Sequence, residues 1–330
     1  MKKKSEKLNV AIIGKNEEQS LPICLKSLEG FDEIYYTDTG SNDRSVRIAE
    51  HFGAHVSFRK WDDDFSAARN FNLDQIPRDE WVFIIDCDEY LPEGEIEKIR
   101  KAIAKARTGR LFANVFNVNT GGHHAHLRFF KNNIRYKDAW HTHIPVKDFE
   151  LTTINLMHKP SINHKKDPDR NFRIVSKIKE KTPRIKFMLA RELMGHKRFD
   201  EALNLFQEYL DEAPLTQQTA EALVFSGQCL FQLKRDSEAQ DAVLMALKFN
   251  PEFKEALIAM ASFSEPWKMK AWSKYAKMAT NYGTLNFEAQ QDERIEQLEA
   301  ISELAIKGKP IQNIINKRSK NKNNMKGNHG

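Results

Sequence analysis

The chain is predicted to be an α/β domain with a mostly parallel sheet, followed by an all-α domain of helical repeats. Three observations predict this. Apolar runs of strand length alternate with helical periodicity as far as Ile85, polar and acidic residues collect where those runs end, and from about Pro183 the pattern is continuously helical.

Leu8 to Gly14 is a short apolar run closed by glycine, which predicts a buried first strand. Ser20-Leu21-Pro22 opens a helix with Ser20 as N-cap; Leu21, Leu25 and Leu28 recur at helical spacing, and Gly30 stops it. Glu33 to Thr37 is the second strand, and Asp38-Thr39-Gly40-Ser41 is the turn after it. Asp43 is placed to cap the next helix, whose apolar positions are Val46, Ile48, Ala49 and Phe52, and which ends at Gly53. Ala54 to Phe58 is a third strand, Phe65 to Gln75 a helix, and Trp81 to Ile85 a strongly apolar strand. Ligands of such sheets bind beyond the carboxyl ends of the strands. Here those ends carry Lys15-Asn16-Glu17, Asp38 and Asp86-Cys87-Asp88-Glu89.

In the helical part, Ala190, Ala202 and Pro214 have the same mutual spacing as Gly227, Ala239 and Pro251. Small residues where two helices cross, with proline ending the second, match the tetratricopeptide pattern of roughly 34 residues. A third, degenerate unit runs through Ala261, Trp267 and Ala276. Such helix pairs stack into a surface that binds a protein partner; a plain helical cap over the first domain is the equal alternative. The expected boundaries are 1–182 for the α/β domain, 183–308 for the repeats and 309–330 for a basic, disordered tail. After Glu303 there is no acid, while Lys307, Lys309, Lys317, Arg318, Lys320, Lys322 and Lys326 follow. Such a tail is either a solvated terminus or an arm for a polyanion.

A length of 330 residues suits two domains, and 40% apolar with 30% charged residues is ordinary for a soluble globular protein. The three scattered cysteines make neither a disulfide framework nor a metal spacing, which points to a reducing cytoplasm. No apolar stretch approaches the roughly 20 residues of a membrane helix, so any membrane association is expected to be peripheral, at the inner surface.

The sharpest local feature is Asp86-Cys87-Asp88 directly after an apolar strand. Two carboxylates one residue apart hold Mg2+ or Mn2+ against a diphosphate, whose leaving charge the ion neutralises. Acidic turns at strand ends are also common, so the tripeptide alone says little.

Its context says more. Lys15-Asn16-Glu17-Glu18, then Asp38-Thr39-Gly40-Ser41-Asn42-Asp43-Arg44-Ser45, then Ala68-Arg69-Asn70-Phe71, then Asp86-Cys87-Asp88-Glu89 stand in this order. In them the chain resembles family 2 glycosyltransferases, inverting enzymes of the GT-A fold, and most closely a branch with lipopolysaccharide-core and bacteriocin glycosyltransferases, some carrying tetratricopeptide repeats. The resemblance covers about Leu8 to His158 and then the repeats. It implies a nucleotide-sugar donor, UDP chemistry and a divalent metal. It also implies that Asp38 accepts a hydrogen bond from the nucleobase, that Glu17 and the backbone at Lys15 face the nucleoside, and that Arg69 approaches the diphosphate. Asp88 ligates the metal, with Asp86 close to the ribose or the metal. Singly, each of these residues also fits a turn, a cap or a surface charge.

The middle segment crowds His123, His124, His126, His141, His143, His158 and His164 into a short span. Surface imidazoles are the commonest explanation, and a zinc site lacks a cysteine and a familiar spacing. The resemblance instead aligns Arg128-Phe129-Phe130, Tyr136, His141-Thr142 and His158 with a family pattern, which makes His158 a candidate metal ligand. Thr142 stands where relatives have an acid, so the general base falls to Asp138 or His141, with Asp138 preferred; Trp140 is a candidate for stacking on a sugar. The expected acceptor is an envelope saccharide, with a peptide as the next choice. Lys165, Lys166, Arg170, Arg173, Lys177, Lys179 and Lys181 admit a modified nucleic-acid base as well. A non-catalytic sugar-nucleotide scaffold is the rival outside enzymology. The enzymatic reading would collapse if the carboxylates of Asp38 and Asp88 faced away from any shared cleft.

Overall fold

β1 (Leu8–Gly14) lies between two parallel neighbours, β2 (Glu33–Asp38) and β4 (Trp81–Ile84), which is why its sequence is apolar almost throughout. In this computed structural model the described residues are 6–119, 122–139, 144, 146–160, 167, 169–213, 216–279 and 288–307. The chain divides into two units, Met1–Ile178 and Lys179–Gly330.

In the first unit, β3 (His55–Phe58) continues the parallel set beside β2. Past β4 the sheet becomes mixed. β7 (His123–Lys131) runs antiparallel to β4 and to β6 (Arg110–Asn117); β8 (Glu150–His158) is parallel to β6, and the short β5 (Glu89–Tyr90) is antiparallel to β8. The order is β3-β2-β1-β4-β7-β6-β8-β5. Four of these seven pairings are parallel, in keeping with the mostly parallel sheet expected, and the antiparallel ones all involve β7 or β5.

Alternate residues of the central strands enter two cores. Val10, Ile12, Phe83 and Ile85 pack with Leu21 and Leu25 of α1 (Leu21–Lys26) and Ile99 of α4 (Glu95–Lys105). Ala11, Val82 and Ile84 pack on the other face with Leu73 of α3 (Phe65–Leu73). Asn72, buried in α3, donates to the carbonyls of Ile12 and Tyr35 and to Thr37 Oγ1, fixing the helix over β1 and β2. Asp64 caps α3 by accepting from Ala67 N at 2.9 Å.

Two caps differ from expectation. Ser20 stands at the N-cap position, but its hydroxyl turns back to Glu17 Oε2 at 2.5 Å and makes no cap bond. Asp43 precedes the cap of α2 (Ser45–His51) by one residue and acts through Ser45, accepting from its N–H and its hydroxyl.

Among its described residues the regular structure of the second unit is helical: α6 (Pro183–Gly195), α7 (Phe199–Glu212), α8 (Gln217–Gln232), α9 (Asp236–Phe249), α10 (Lys254–Phe263), α11 (Pro266–Met278) and α12 (Glu288–Ile306). Ala190, Ala202, Ala239, Ala261 and Ala276 are fully buried, whereas Trp267 is 62% exposed. Gly227 is where α8 meets α9: a Cβ there would lie 2.6 Å from Val243 Cγ2 and 2.9 Å from the Ala239 carbonyl oxygen. Pro214 and the tail 309–330 lie outside the described residues. Among the described residues no helix is long and apolar enough to cross a membrane.

Candidate functional site

A cleft of ≈ 450 Å³ opens at the carboxyl ends of β1 and β4. Gly14, Lys15, Asn16 and Glu17 enter it from β1, and Asp86, Cys87 and Asp88 from β4. Gly14 leaves no room for a side chain, since a Cβ would lie 2.7 Å from Tyr36 Oη and 2.8 Å from Cys87 Sγ. Asn16 holds the next turn with φ 58°, accepting from Asn42 N through Oδ1, while its own N–H donates to Ser41 Oγ.

Opposite charges organise the acidic tripeptide. Arg69 Nη2 donates to Asp86 Oδ1 at 2.7 Å, and Arg128 Nη1 lies 3.8 Å from Asp86 Oδ2. Burial alone would raise the Asp86 carboxyl; the guanidinium of Arg69, then that of Arg128, outweighs it and holds Asp86 well below the usual range. Arg128 Nη2 also donates to buried Glu89 Oε1 at 2.5 Å, and Glu89 Oε2 accepts from Asp86 N. Burial pushes Glu89 upward, only partly offset by Arg128. Cys87, pushed well up by burial, stays a neutral thiol that donates to the Ile13 carbonyl.

Asp88 behaves differently from Asp86. It is 7% exposed, and its Oδ2 lies 3.2 Å from His158 Nε2. That hydrogen bond raises the His158 pKa. A carboxylate and an imidazole side by side in the cleft fit a divalent cation that takes its other ligands from a diphosphate. Among the described residues no three potential ligands converge, so the protein itself offers a pair.

The structure therefore brings Lys15, Glu17, Arg69, Asp86, Asp88 and His158 to one cleft. Asp38 is placed differently. It is buried at the end of β2 opposite Gly14, but it is not among the lining residues, and only its neighbour Thr39 is. Its Oδ2 is taken by Gly40 N and Ser41 N at 2.9 Å each, and its Oδ1 by Tyr36 Oη at 3.4 Å. Asp38 in this state shapes the loop. Asp138, with φ 68°, also lies off the lining. Its loop is tied to α3: Asn70 exchanges hydrogen bonds with the Tyr136 backbone, and Phe65 N donates to the Ala139 carbonyl. Trp140, His141, Thr142, His143 and His164 lie outside the described residues. His123, His124 and His126 stand on the exposed part of β7.

Sequence reasoning missed the cleft residues Trp61, Phe65, Asp167 and Arg170. In Trp61-Asp62-Asp63-Asp64 each acid has a task. Asp62 pairs with Arg59, Asp64 caps α3, and Asp63 receives Trp61 Nε1, Arg173 and Lys177. Arg170, Arg173 and Lys177 share one face of α5 (Arg170–Lys177) by helical spacing, which was the available signal. With Arg173 and Lys177 occupied by acids, the basic stretch offers less to a nucleic acid than its composition suggests; Lys165 and Lys166 lie outside the described residues.

Residues 9–164 match the family described as Glycosyl transferase family 2. A TPR repeat-containing protein of Synechococcus elongatus is 40% identical over 85 residues, 26% of this chain and 21% of that protein. The SPbeta prophage-derived glycosyltransferase SunS of Bacillus subtilis is 32% identical over 102 residues, 29% of this chain and 24% of that protein. The chain thus spans about a quarter or less of the length of these curated relatives. The crystal structure of S. aureus TarS aligns with a TM-score of 0.43 at 12% identity, covering 71% of this chain and 54% of that one, too low a likeness to bear on substrates. With its ordered motifs, its sheet and its family match in agreement, residues 9–164 of this chain form a glycosyl transferase family 2 domain.

Proposed function

We propose that this chain is a glycosyltransferase that moves a sugar from a nucleotide-activated donor, a UDP-sugar, to an acceptor hydroxyl with inversion. The observation that carries the reading is the convergence of Lys15, Glu17, Arg69, Asp88 and His158 on one cleft at the strand ends. Asp88 and His158 would hold Mg2+ or Mn2+, which when bound would supply charge neutralisation for the departing diphosphate. Lys15 adds a cation on the cleft wall, and Glu17 shapes its nucleoside side. Asp38, one residue behind the lining, meets the nucleobase by exchanging its loop contacts for it.

In the reaction the acceptor oxygen bonds to the anomeric carbon as the bond from that carbon to the diphosphate oxygen breaks. The acceptor proton passes to a base in the segment from Asp138 to His141, and Asp138 is our assignment. The acceptor class is a saccharide of the cell envelope, following the family resemblance. The catalytic part occupies 1–182, and the repeats, 183–308, hold a protein partner. UDP release over a panel of donors, with and without chelator, tests this. Turnover unchanged in Asp88→Ala would remove the metal assignment, and nucleotide binding with no transfer from any donor would leave a binding scaffold instead.

A further inference from the structure

Arg170 lies six residues past the family match, on α5, yet it lines the cleft with Trp61 and Phe65. Its guanidinium sits over the Phe65 ring, 5.3 Å from the centroid. Its Nε is shielded from solvent and has no hydrogen-bond partner. Lys15 of the lining likewise has no ion pair among the described residues, but three other charged groups differ. Arg69 is paired with Asp86, Asp88 with His158, and Asp167 with Arg173. Among the described residues Arg170 has no carboxylate within ion-pair distance, although its helix neighbours Arg173 and Lys177 do. A half-buried guanidinium with a shielded, unused Nε and no ion pair suits phosphate oxygens.

The position of Arg170 is also built. Asp63, itself at φ 65°, receives Arg173 through Nε at 3.0 Å and Nη2 at 3.2 Å, and Lys177 Nζ at 2.7 Å. Trp61 Nε1 donates to the same carboxylate at 3.0 Å. One side chain thus fastens α5 to the loop that supplies Trp61 to the cleft.

We infer that Arg170 is a phosphate-binding residue of the donor cleft, aimed at the charged diphosphate and not at the nucleoside, and that the Asp63 clamp holds it there. This rests on the donor-binding reading above and adds a cation from outside the family segment.

The test compares UDP with uridine on the full chain by calorimetry. Arg170→Ala is expected to weaken UDP by about tenfold or more, the scale of one lost charge-assisted contact, while uridine affinity changes by less than about twofold. Arg170→Lys is expected to recover part of the loss. Uridine serves as the control for folding, because a collapsed cleft would lose both ligands. Equal loss of UDP and uridine, or UDP affinity unchanged in Arg170→Ala, would overturn the assignment while the donor reading stood. A wild-type chain that bound neither ligand would overturn both.

Discussion

His158 reaches Asp88 because β8 runs antiparallel to β5 with His158 opposite Glu89, which sets the imidazole 3.2 Å from a carboxylate that left the sheet seventy residues earlier. Neighbouring Asp86 is spent on Arg69, so the two acids of one tripeptide have separate work. Removing either member of the Asp88–His158 pair is expected to weaken Mn2+-dependent UDP binding by about tenfold or more, while metal-free uridine binding persists. Calorimetry with and without Mn2+ checks this; His158→Ala with undiminished metal dependence would take the histidine out of the site.

Arg128 is 8% exposed and bridges Glu89 and Asp86. Arg128→Met leaves a buried carboxylate uncompensated, for which about 3–5 kcal/mol of destabilisation is expected. Glu89→Gln in the same background should restore part of it, because the orphaned charge is then gone. Urea denaturation of the four variants of this cycle measures the coupling, and simple additivity would show the pair to be independent.

The sequence displayed this site unevenly. β1 and β4 were legible because a central strand covered on both faces is apolar along nearly all its length. β6 also carries the alternation, with Leu111, Ala113 and Val115 buried, but the histidines of its partner β7 obscured the hairpin. Pairs distant along the chain were not legible at all. Arg128 and Glu89 are 39 residues apart and Arg173 and Asp63 are 110, and no local pattern marks which acid a base will meet. The same holds for Asp38: its motif was plain, but whether its carboxylate serves the loop or the cleft depends on backbone N–H groups that only the fold positions.

In the helical unit, Gly227→Ala sets a methyl 2.9 Å from the Ala239 carbonyl oxygen, a backbone atom that yields only if α9 shifts. About 1–3 kcal/mol of destabilisation is expected despite the better helix propensity of alanine. Gly195→Ala, with open space around the glycine, is the control. Loss of helical circular dichroism on heating compares the two; equal melting would show that α8 and α9 adjust freely.

The clamp at Asp63 gives a pH dependence with a defined sign. Hydrogen bonding from Arg173, reinforced by Lys177 and Trp61, holds the Asp63 carboxyl at about 2, below its ordinary 3.8. A depressed acid contributes stability that is full above its unfolded value and lost as pH falls through the folded one. The fastening of α5 should therefore hold unchanged from neutral pH down to about 4 and loosen between about 4 and 2. Asp63→Asn removes the charge at every pH, so its deficit should be roughly 1 kcal/mol near pH 7, modest because Lys177 and Arg173 are partly solvated, and should be mostly lost by about pH 2. Hydrogen exchange of the α5 amides in both proteins across this range reads the difference directly, since other carboxylates titrate alike in the two. A deficit that persists undiminished at pH 2 would mean that Asp63 acts through its shape and not through its charge.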